Sequence, residues 1–221
     1  MQREPTEDLQ PYFLTLNDLD GLVDWKEFFA NDNPVELDVG SGRGLFLVNA
    51  TISRPDTNFL GIEIDYREGR HSARKLQKRE LPNGRVWGGD GRLAFDKHIR
   101  PHSVVAIHVY FPDPWWKKKH RRRRVFTDEL VDQMVTALVP GGFVHSWTDV
   151  EDYFEVIQAL MDNDARFETL PQPVEREAQH DLDYQTSFER KKRQAGCPIY
   201  RGLWRLQNGR ECRFQAVLCS L

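Results

Sequence analysis

The stretch VELDVGSGRG, residues 35–44, decides the predicted fold because a strand passes directly into a glycine-rich turn within it. Val35 to Val39 has the apolar content of a buried strand. Three glycines then follow at alternate positions, which lets the backbone bend sharply and come close to a ligand. A helical pattern extends from there to about Ile52, so strand, turn and helix follow one another as in a βαβ unit.

Short apolar runs alternate with helical patterns along the rest of the chain. Further strands are predicted at Phe59–Ile64, Arg85–Trp87, Val104–Phe111, Phe143–Trp147 and Ile199–Leu206. Helices are predicted from Tyr66 to about Leu81, from the N-cap Thr127 to Leu138, and from Val150 to Met161. Strands that alternate with helices predict an α/β fold, here a single domain with a Rossmann-like, doubly wound, mostly parallel sheet.

The predicted domain covers residues 34–206 and follows a polar N-terminal arm, residues 1–33. Polar, loop-like insertions are predicted at 112–125 and 171–198, and residues 207–221 form a tail of unassigned role. No apolar run approaches the ~20 residues of a membrane span, and the N-terminus lacks the apolar stretch of a signal peptide. The three cysteines have no CxxC spacing, so we expect neither a disulfide framework nor a metal site. Free cysteines are typical of a reducing compartment, so we expect a cytoplasmic protein.

Basic residues are concentrated in one segment of an otherwise acidic chain. The net charge is −3, from 31 Lys and Arg against 34 Asp and Glu. Seven of the 31 lie within residues 117–124, which leaves 24 basic and 34 acidic residues elsewhere. A dense basic segment on an acidic body predicts a localised anion site; a solvated or nuclear-targeting segment is the alternative.

Acidic residues at the ends of successive strands predict a ligand site around the glycine turn. Asp38 stands two residues before Gly40, where a buried carboxylate would pair with an ammonium group and repel phosphate. A dinucleotide fingerprint would need glycine at position 45, which is Leu45. Glu63 can accept hydrogen bonds from ribose hydroxyls, and Asp90 is placed to reach an adenine edge. The set favours a ligand with a cationic amino-acid end and no pyrophosphate.

The strand Val104–Phe111 runs into a loop, Pro112-Asp113-Pro114-Trp115, that leads directly to the basic segment. A carboxylate between two prolines is held stiffly at the mouth of the sheet. Taken alone, this loop is equally well explained as a rigid surface turn. An acid, a stacking aromatic and a phosphate clamp within twelve residues are what modification of a nucleic-acid base requires.

Two motifs then resemble one known family. FPDPWWKKKHRRR, residues 111–123, resembles the signature of the bacterial tRNA (guanine-N7)-methyltransferases. TSFERK, residues 186–191, with Gly196 and Ile199 beyond it, is similar to that family's C-terminal TxFExK…G..I pattern. The resemblance covers roughly residues 34–206. It implies a class I methyltransferase fold that binds S-adenosylmethionine and methylates N7 of a guanine in the variable loop of tRNA.

The resemblance also implies roles for individual residues, with Asp113 as the catalytic one. Those implied for the S-adenosylmethionine site are Asp38, Gly40, Gly42, Glu63, Asp90 and Asp113. Those implied for substrate contact are Lys117, Asp149, Thr186, Ser187, Phe188 and Glu189. Those implied for contact with the RNA backbone are Lys119, His120, Arg121, Arg122, Arg123 and Arg124.

Three departures from the family pattern and two alternative functions accompany this interpretation. Asp38 stands where many members carry Glu, Trp116 replaces a more polar residue, and the tail after Leu206 passes the usual end. An amino-methyltransferase acting on an exocyclic base nitrogen is one alternative, although its acid-Pro-Pro-aromatic loop has a second proline that is missing here. The other is an RNA-binding protein of this fold without turnover, which would not need acids at four strand ends.

Overall fold

The structure, a computed structural model, describes residues 8–115, 119, 124–173 and 186–208. The strands are β1 (Phe13–Thr15), β2 (Val35–Val39), β3 (Asn58–Glu63), β4 (Gly84–Gly88), β5 (Val104–Tyr110), β6 (Leu138–Thr148), β7 (Phe167–Thr169) and β8 (Tyr200–Leu206). The helices are α1 (Trp25–Phe29), α2 (Leu45–Ser53), α3 (Tyr66–Lys78), α4 (Gly91–Lys97), α5 (Asp128–Ala137), α6 (Glu151–Asp162) and α7 (Ser187–Gln194). A short 3-10 helix, Leu16–Asp18, follows β1.

The strands form one sheet in the order β1-β4-β3-β2-β5-β6-β8-β7. Pairing is parallel from β1 through β6, whereas β8 runs antiparallel to β6 and β7 antiparallel to β8. The chain proceeds outward from β2 in both directions, so the carboxyl ends of β2 and β5 form the switch point where such sheets bind ligands. The predicted doubly wound, mostly parallel α/β fold is confirmed.

Helices cover both faces of the sheet, which explains why its central strands are apolar on both sides. On one face Leu37, Ile107 and Val144 belong to a buried cluster with residues of α5 and α6, such as Met134 and Ile157. On the other face a second cluster joins residues of α2 and α3 to the sheet; its members include Phe46, Leu47, Phe59, Leu76 and Val86. The two clusters hold the strand ends in fixed positions.

The structure differs from the sequence-based prediction in the N-terminal segment and in the bounds of one strand. Residues 8–33 lie within the predicted arm, yet β1 pairs with β4 and the Trp25 ring stacks on Trp87 with 5.7 Å between centroids. A three-residue strand is too short to show a period of two, so the pattern missed it. The strand predicted at Phe143–Trp147 begins earlier, at Leu138, and this longer strand β6 has a register shift opposite β5. The domain bounds 34–206 stay a prediction.

None of the described helices combines the length and the apolar character that crossing a membrane requires. Within the same described part of the chain, no cluster of His, Cys, Asp and Glu side chains has the arrangement of a metal site.

Candidate active site

A pocket of about 710 Å³ opens at the carboxyl ends of β2, β3, β4 and β5. Seven residues that the sequence singled out line it: Gly40, Gly42, Glu63, Asp90, Asp113, Arg124 and Phe188. Asp38 precedes the lining residue Val39, is only 4% exposed, and lies within electrostatic reach of the lining residue Glu63. The structure therefore brings the predicted cofactor residues together at the switch point, with Asp113 and Phe188 in the same pocket.

The glycine turn after β2 depends on left-handed backbone at all three glycines. Gly44 has φ +69° and begins α2; a Cβ there would lie 1.9 Å from the Ser72 hydroxyl oxygen. By contrast, a Cβ on Gly40, at φ +79°, would meet nothing within 4 Å. Gly44 thus lets α2 pack against α3, while Gly40 leaves open space beside the pocket.

Glu63 organises this turn through its carboxylate. Its Oε2 accepts a 2.7 Å hydrogen bond from the backbone N–H of Gly42, and its Oε1 accepts one of 2.8 Å from the N–H of Asp65. Each carboxylate oxygen carries a further lone pair, so acceptance from a ligand hydroxyl remains available. Glu63 therefore joins the end of β3 to the turn after β2.

Asp38 is a buried carboxyl group on the middle strand. Burial, and secondarily the negative charge of Glu63, raise its pKa to about 8. The charged form is disfavoured because no positive charge among the described residues contributes to its pKa. A ligand cation at this position would supply the missing counter-charge.

Asp90 caps the helix that follows β4. Its Oδ1 accepts a 2.9 Å hydrogen bond from the backbone N–H of Arg92, as an N-cap does. The N–H of Gly89, just before it, donates to the carbonyl of Glu63 at 2.9 Å. These bonds tie the ends of β3 and β4 together and fix the Asp90 carboxylate beside the pocket.

The loop after β5 is strained at both ends. Phe111 has φ 50° and Trp115 has φ 42°, a region that bulky residues rarely adopt. Such conformations cost about 1–3 kcal/mol each and persist only where neighbouring contacts enforce them. Phe111 is held by its backbone N–H, which donates a 2.7 Å hydrogen bond to the carbonyl of Trp147. Asp113 lies between the two strained residues and is exposed at the pocket.

Helix α7 brings the second motif to the pocket. Thr186 is its N-cap and accepts a 2.9 Å hydrogen bond from the N–H of Glu189. Glu189 is 2% exposed and pairs with Arg201 of β8 at 3.4 Å. Phe188 is 59% exposed and lies parallel to the Phe111 ring, with 6.2 Å between centroids. Thr186 and Glu189 therefore fix the helix, and Phe188 is the residue it presents.

The other residues predicted to contact substrate or RNA differ in their surroundings. Asp149 forms a 2.7 Å ion pair with Lys192 of α7. Lys119 is exposed to solvent. Arg124 is half-buried, and its Nε donates a 2.7 Å hydrogen bond to the carbonyl of Pro114. Outside the described residues lie Lys117, His120, Arg121, Arg122 and Arg123, together with the side chain of Ser187.

Sequence reasoning missed a buried polar network that reaches the pocket at Tyr110. His108 Nε2 lies 2.7 Å from Glu36 Oε2, and its Nδ1 lies 3.0 Å from the hydroxyl of the pocket residue Tyr110. Burial raises the pKa of Glu36, but His108 and the ion pair with Arg54 outweigh it and bring the pKa below its usual value. His108 donates to Glu36, so the Tyr110 hydroxyl donates to its other nitrogen. Polar residues at alternate positions of an apolar strand were the available signal.

Comparison with known proteins settles the family. A family profile described as "Putative methyltransferase" matches residues 32–202. The tRNA (guanine-N(7)-)-methyltransferase of Rhodopirellula baltica is 42% identical over 207 residues, which cover 91% of this chain and 76% of that protein. The chain belongs to the tRNA (guanine-N7)-methyltransferase family. The resemblance predicted from the sequence motifs is confirmed.

A second relative carries the same family name, and a solved structure shares the fold. The Thiobacillus denitrificans protein of the same name is 32% identical over 201 residues, covering 89% of this chain and 81% of its own. The crystal structure of the 16S rRNA methyltransferase KamB matches with a TM-score of 0.62 at 15% identity, covering 86% of this chain and 96% of that one. At this identity the match supports the fold alone.

Proposed function

We propose that the protein transfers the methyl group of S-adenosylmethionine to N7 of a guanine in the variable loop of tRNA, in the cytoplasm. One observation carries the proposal: Asp38, a buried carboxyl without a counter-charge among the described residues, lies within electrostatic reach of the pocket residue Glu63, and the same pocket is lined by Asp113 and an exposed aromatic ring, Phe188. A ligand with a cationic amino-acid end fits the first feature, and a purine base fits the second.

The pocket residues suit S-adenosylmethionine group by group. Asp38 would pair with the ammonium, Glu63 would accept from the ribose hydroxyls, and Asp90 would reach the adenine edge. The open space at Gly40 leaves room for close approach of the ligand. When bound, the sulfonium supplies an electrophilic methyl group.

Asp113 would act by holding the base rather than by removing a proton. Guanine N7 has an in-plane lone pair and no hydrogen, so its methylation needs no general base. The Asp113 carboxylate can accept from the N1–H and the exocyclic amine, which orients the base and favours the positive charge that develops on it. Phe188 offers a ring face on which that base can stack.

Residues 119–123 of the basic segment would contact tRNA phosphates, which supplies affinity without sequence discrimination. Lys117, Asp149, Thr186, Ser187 and Glu189 are proposed to contact the substrate, as the family resemblance implies. In the described structure Asp149 and Glu189 are engaged in ion pairs, so their part would include placing α7 beside the base.

A product assay tests the proposal. The purified protein is incubated with bulk tRNA and S-adenosylmethionine, and the nucleosides are then analysed. The product 7-methylguanine has a cationic imidazole ring that opens readily, so borohydride and aniline should cut the RNA at one variable-loop position. An exocyclic N-methyl product would leave the strand uncut and would contradict the proposal, as would cofactor binding without any product.

A further inference from the structure

Arg124, the last residue of the basic segment, makes its contacts within the protein. Its Nε donates a 2.7 Å hydrogen bond to the carbonyl of Pro114. Its guanidinium carbon lies 4.8 Å from the centroid of the Tyr153 ring, which is fully buried on α6. One planar cation therefore joins the loop after β5 to a helix, by a hydrogen bond to the loop and a contact with a ring of the helix.

The loop needs such an attachment. Proline at positions 112 and 114 removes two backbone donors, so the loop has few N–H groups with which to anchor itself. The bond from Phe111 to the Trp147 carbonyl holds its first end. The bond from Arg124 to Pro114 holds the second end, beside the strained Trp115.

The charges of Arg124 and Asp113 both act on the Tyr153 hydroxyl. Burial raises the pKa of the Tyr153 hydroxyl; Arg124 lowers it and Asp113 raises it. Both charged groups therefore lie within electrostatic reach of one buried ring. Arg124 and Asp113 line the same pocket.

We propose that Arg124 is a positioning residue: by holding the Pro114 carbonyl against α6, it fixes Asp113 at the pocket instead of contacting an RNA phosphate. The inference rests on the proposed function, in which Asp113 holds the target base. A misplacement of about 1 Å at a reacting centre lowers rates by up to about 100-fold, so the effect should appear in the methyl-transfer step.

The test compares Arg124→Ala and Arg124→Lys with wild type in single-turnover methylation at saturating tRNA. We expect the Ala variant to be about 10- to 100-fold slower. The Lys variant should recover part of the rate, because an ammonium can donate to the carbonyl but cannot stack flat on the ring. Arg205→Ala is the matched control, since that arginine is exposed and pairs with Glu168 far from the pocket; its rate should equal wild type.

Two further measurements separate positioning from other roles. The salt dependence of tRNA affinity should keep its slope in Arg124→Ala, whereas Arg121→Ala should lose about one unit of slope. In a double-mutant cycle, adding Arg124→Ala to Asp113→Asn should slow the reaction little further, because the two residues act through one contact to the base.

Hydrogen exchange gives a readout that needs no methyl transfer. The amides of Asp113 and Trp115 should exchange faster in Arg124→Ala than in Arg205→Ala. An inactive wild type would contradict the proposed function, while exchange would still decide the role of Arg124. Unchanged exchange, a reduced salt slope with a normal single-turnover rate, or a lowered melting temperature with a normal rate would each overturn the inference.

Discussion

Glu63 on β3 and Asp38 on β2 are two carboxyl groups close enough for the charge of the first to raise the pKa of the second. Burial is the larger cause, and together they bring the pKa of Asp38 to about 8. Asp38 is therefore mostly protonated at pH 7 in the free protein. Its ion pair with an ammonium group requires the carboxylate, so cofactor binding and proton release are linked.

We expect S-adenosylmethionine binding to release a proton at pH 7 and to strengthen as the pH rises toward 8. Isothermal titration in two buffers of different ionisation enthalpy measures the released proton directly. Asp38→Asn is the control and should bind more weakly, with the same heat in both buffers. Buffer-independent heats in the wild type would mean that Asp38 does not pair with the ligand.

The same raised pKa predicts how the stability of the ligand-free protein depends on pH. A carboxyl whose folded pKa exceeds its unfolded value near 4 stabilises the fold below pH 4, and this stabilisation is lost as the pH rises toward 8. Asp38→Asn cannot ionise, so its stability relative to wild type should increase across that range. Parallel stability profiles from pH 4 to 8, measured by urea unfolding, would contradict the assignment.

Replacing Glu63 should weaken the cofactor site. Glu63→Ala removes the acceptor for the Gly42 and Asp65 N–H groups, and with it the proposed partner of the ribose. We expect S-adenosylmethionine affinity to fall by about 1–3 kcal/mol. Glu63→Gln keeps one carbonyl acceptor and should lose less. Calorimetry on both variants checks this, and unchanged affinity in the Ala variant would remove Glu63 from the site.

Gly44→Ala should destabilise the fold through a clash that a matched glycine lacks. Its Cβ would lie 1.9 Å from Ser72 Oγ and 2.7 Å from Ser72 Cβ, at φ +69°. Gly141 has a comparable φ of +82°, but a Cβ there meets nothing within 4 Å. Thermal unfolding should show a loss of about 1 kcal/mol for Gly141→Ala, from backbone strain alone, and clearly more for Gly44→Ala. Equal losses would mean that α2 and α3 adjust freely.

Asp113→Asn identifies the chemistry of the strained loop. The substitution keeps the side chain's size and one oxygen but removes the charge that would favour a cationic purine. We expect cofactor and tRNA affinity to be kept and turnover to fall by ~10²-fold or more. Single-turnover kinetics with 7-methylguanine detection measure the effect. Near-normal turnover would deprive Asp113 of its catalytic role without changing the identity of the product.

The strand ends were predictable, because apolar runs mark parallel strands and their carboxyl ends share one edge of the sheet. The sequence alone therefore groups Asp38, Glu63 and Asp90 at one site. Side-chain direction within loops was not predictable, since it depends on partners far away in sequence. In the sequence Arg124 looks like any other member of a basic run, and its bond to Pro114 and its contact with the Tyr153 ring become visible in the structure.

Burial of Glu189 was equally hidden from the sequence. It stands in a polar segment of the chain, and its partner Arg201 belongs to a strand that follows the helix. Local periodicity carries no information on such a pairing. The same holds for His108, whose acceptor Glu36 lies on β2, far earlier along the chain.

The pairing of β1 with β4 limits the order in which the strands can pair while the protein is being synthesised. Translation produces β1 first, but its partner strand leaves the ribosome only after β2 and β3 have been synthesised. Those two strands can pair with each other in the meantime, because they are neighbours in the sheet and close in sequence. The N-terminal segment can therefore dock on β4 only after β2 and β3 have been synthesised, and the ligand-binding edge between β2 and β5 can assemble without it.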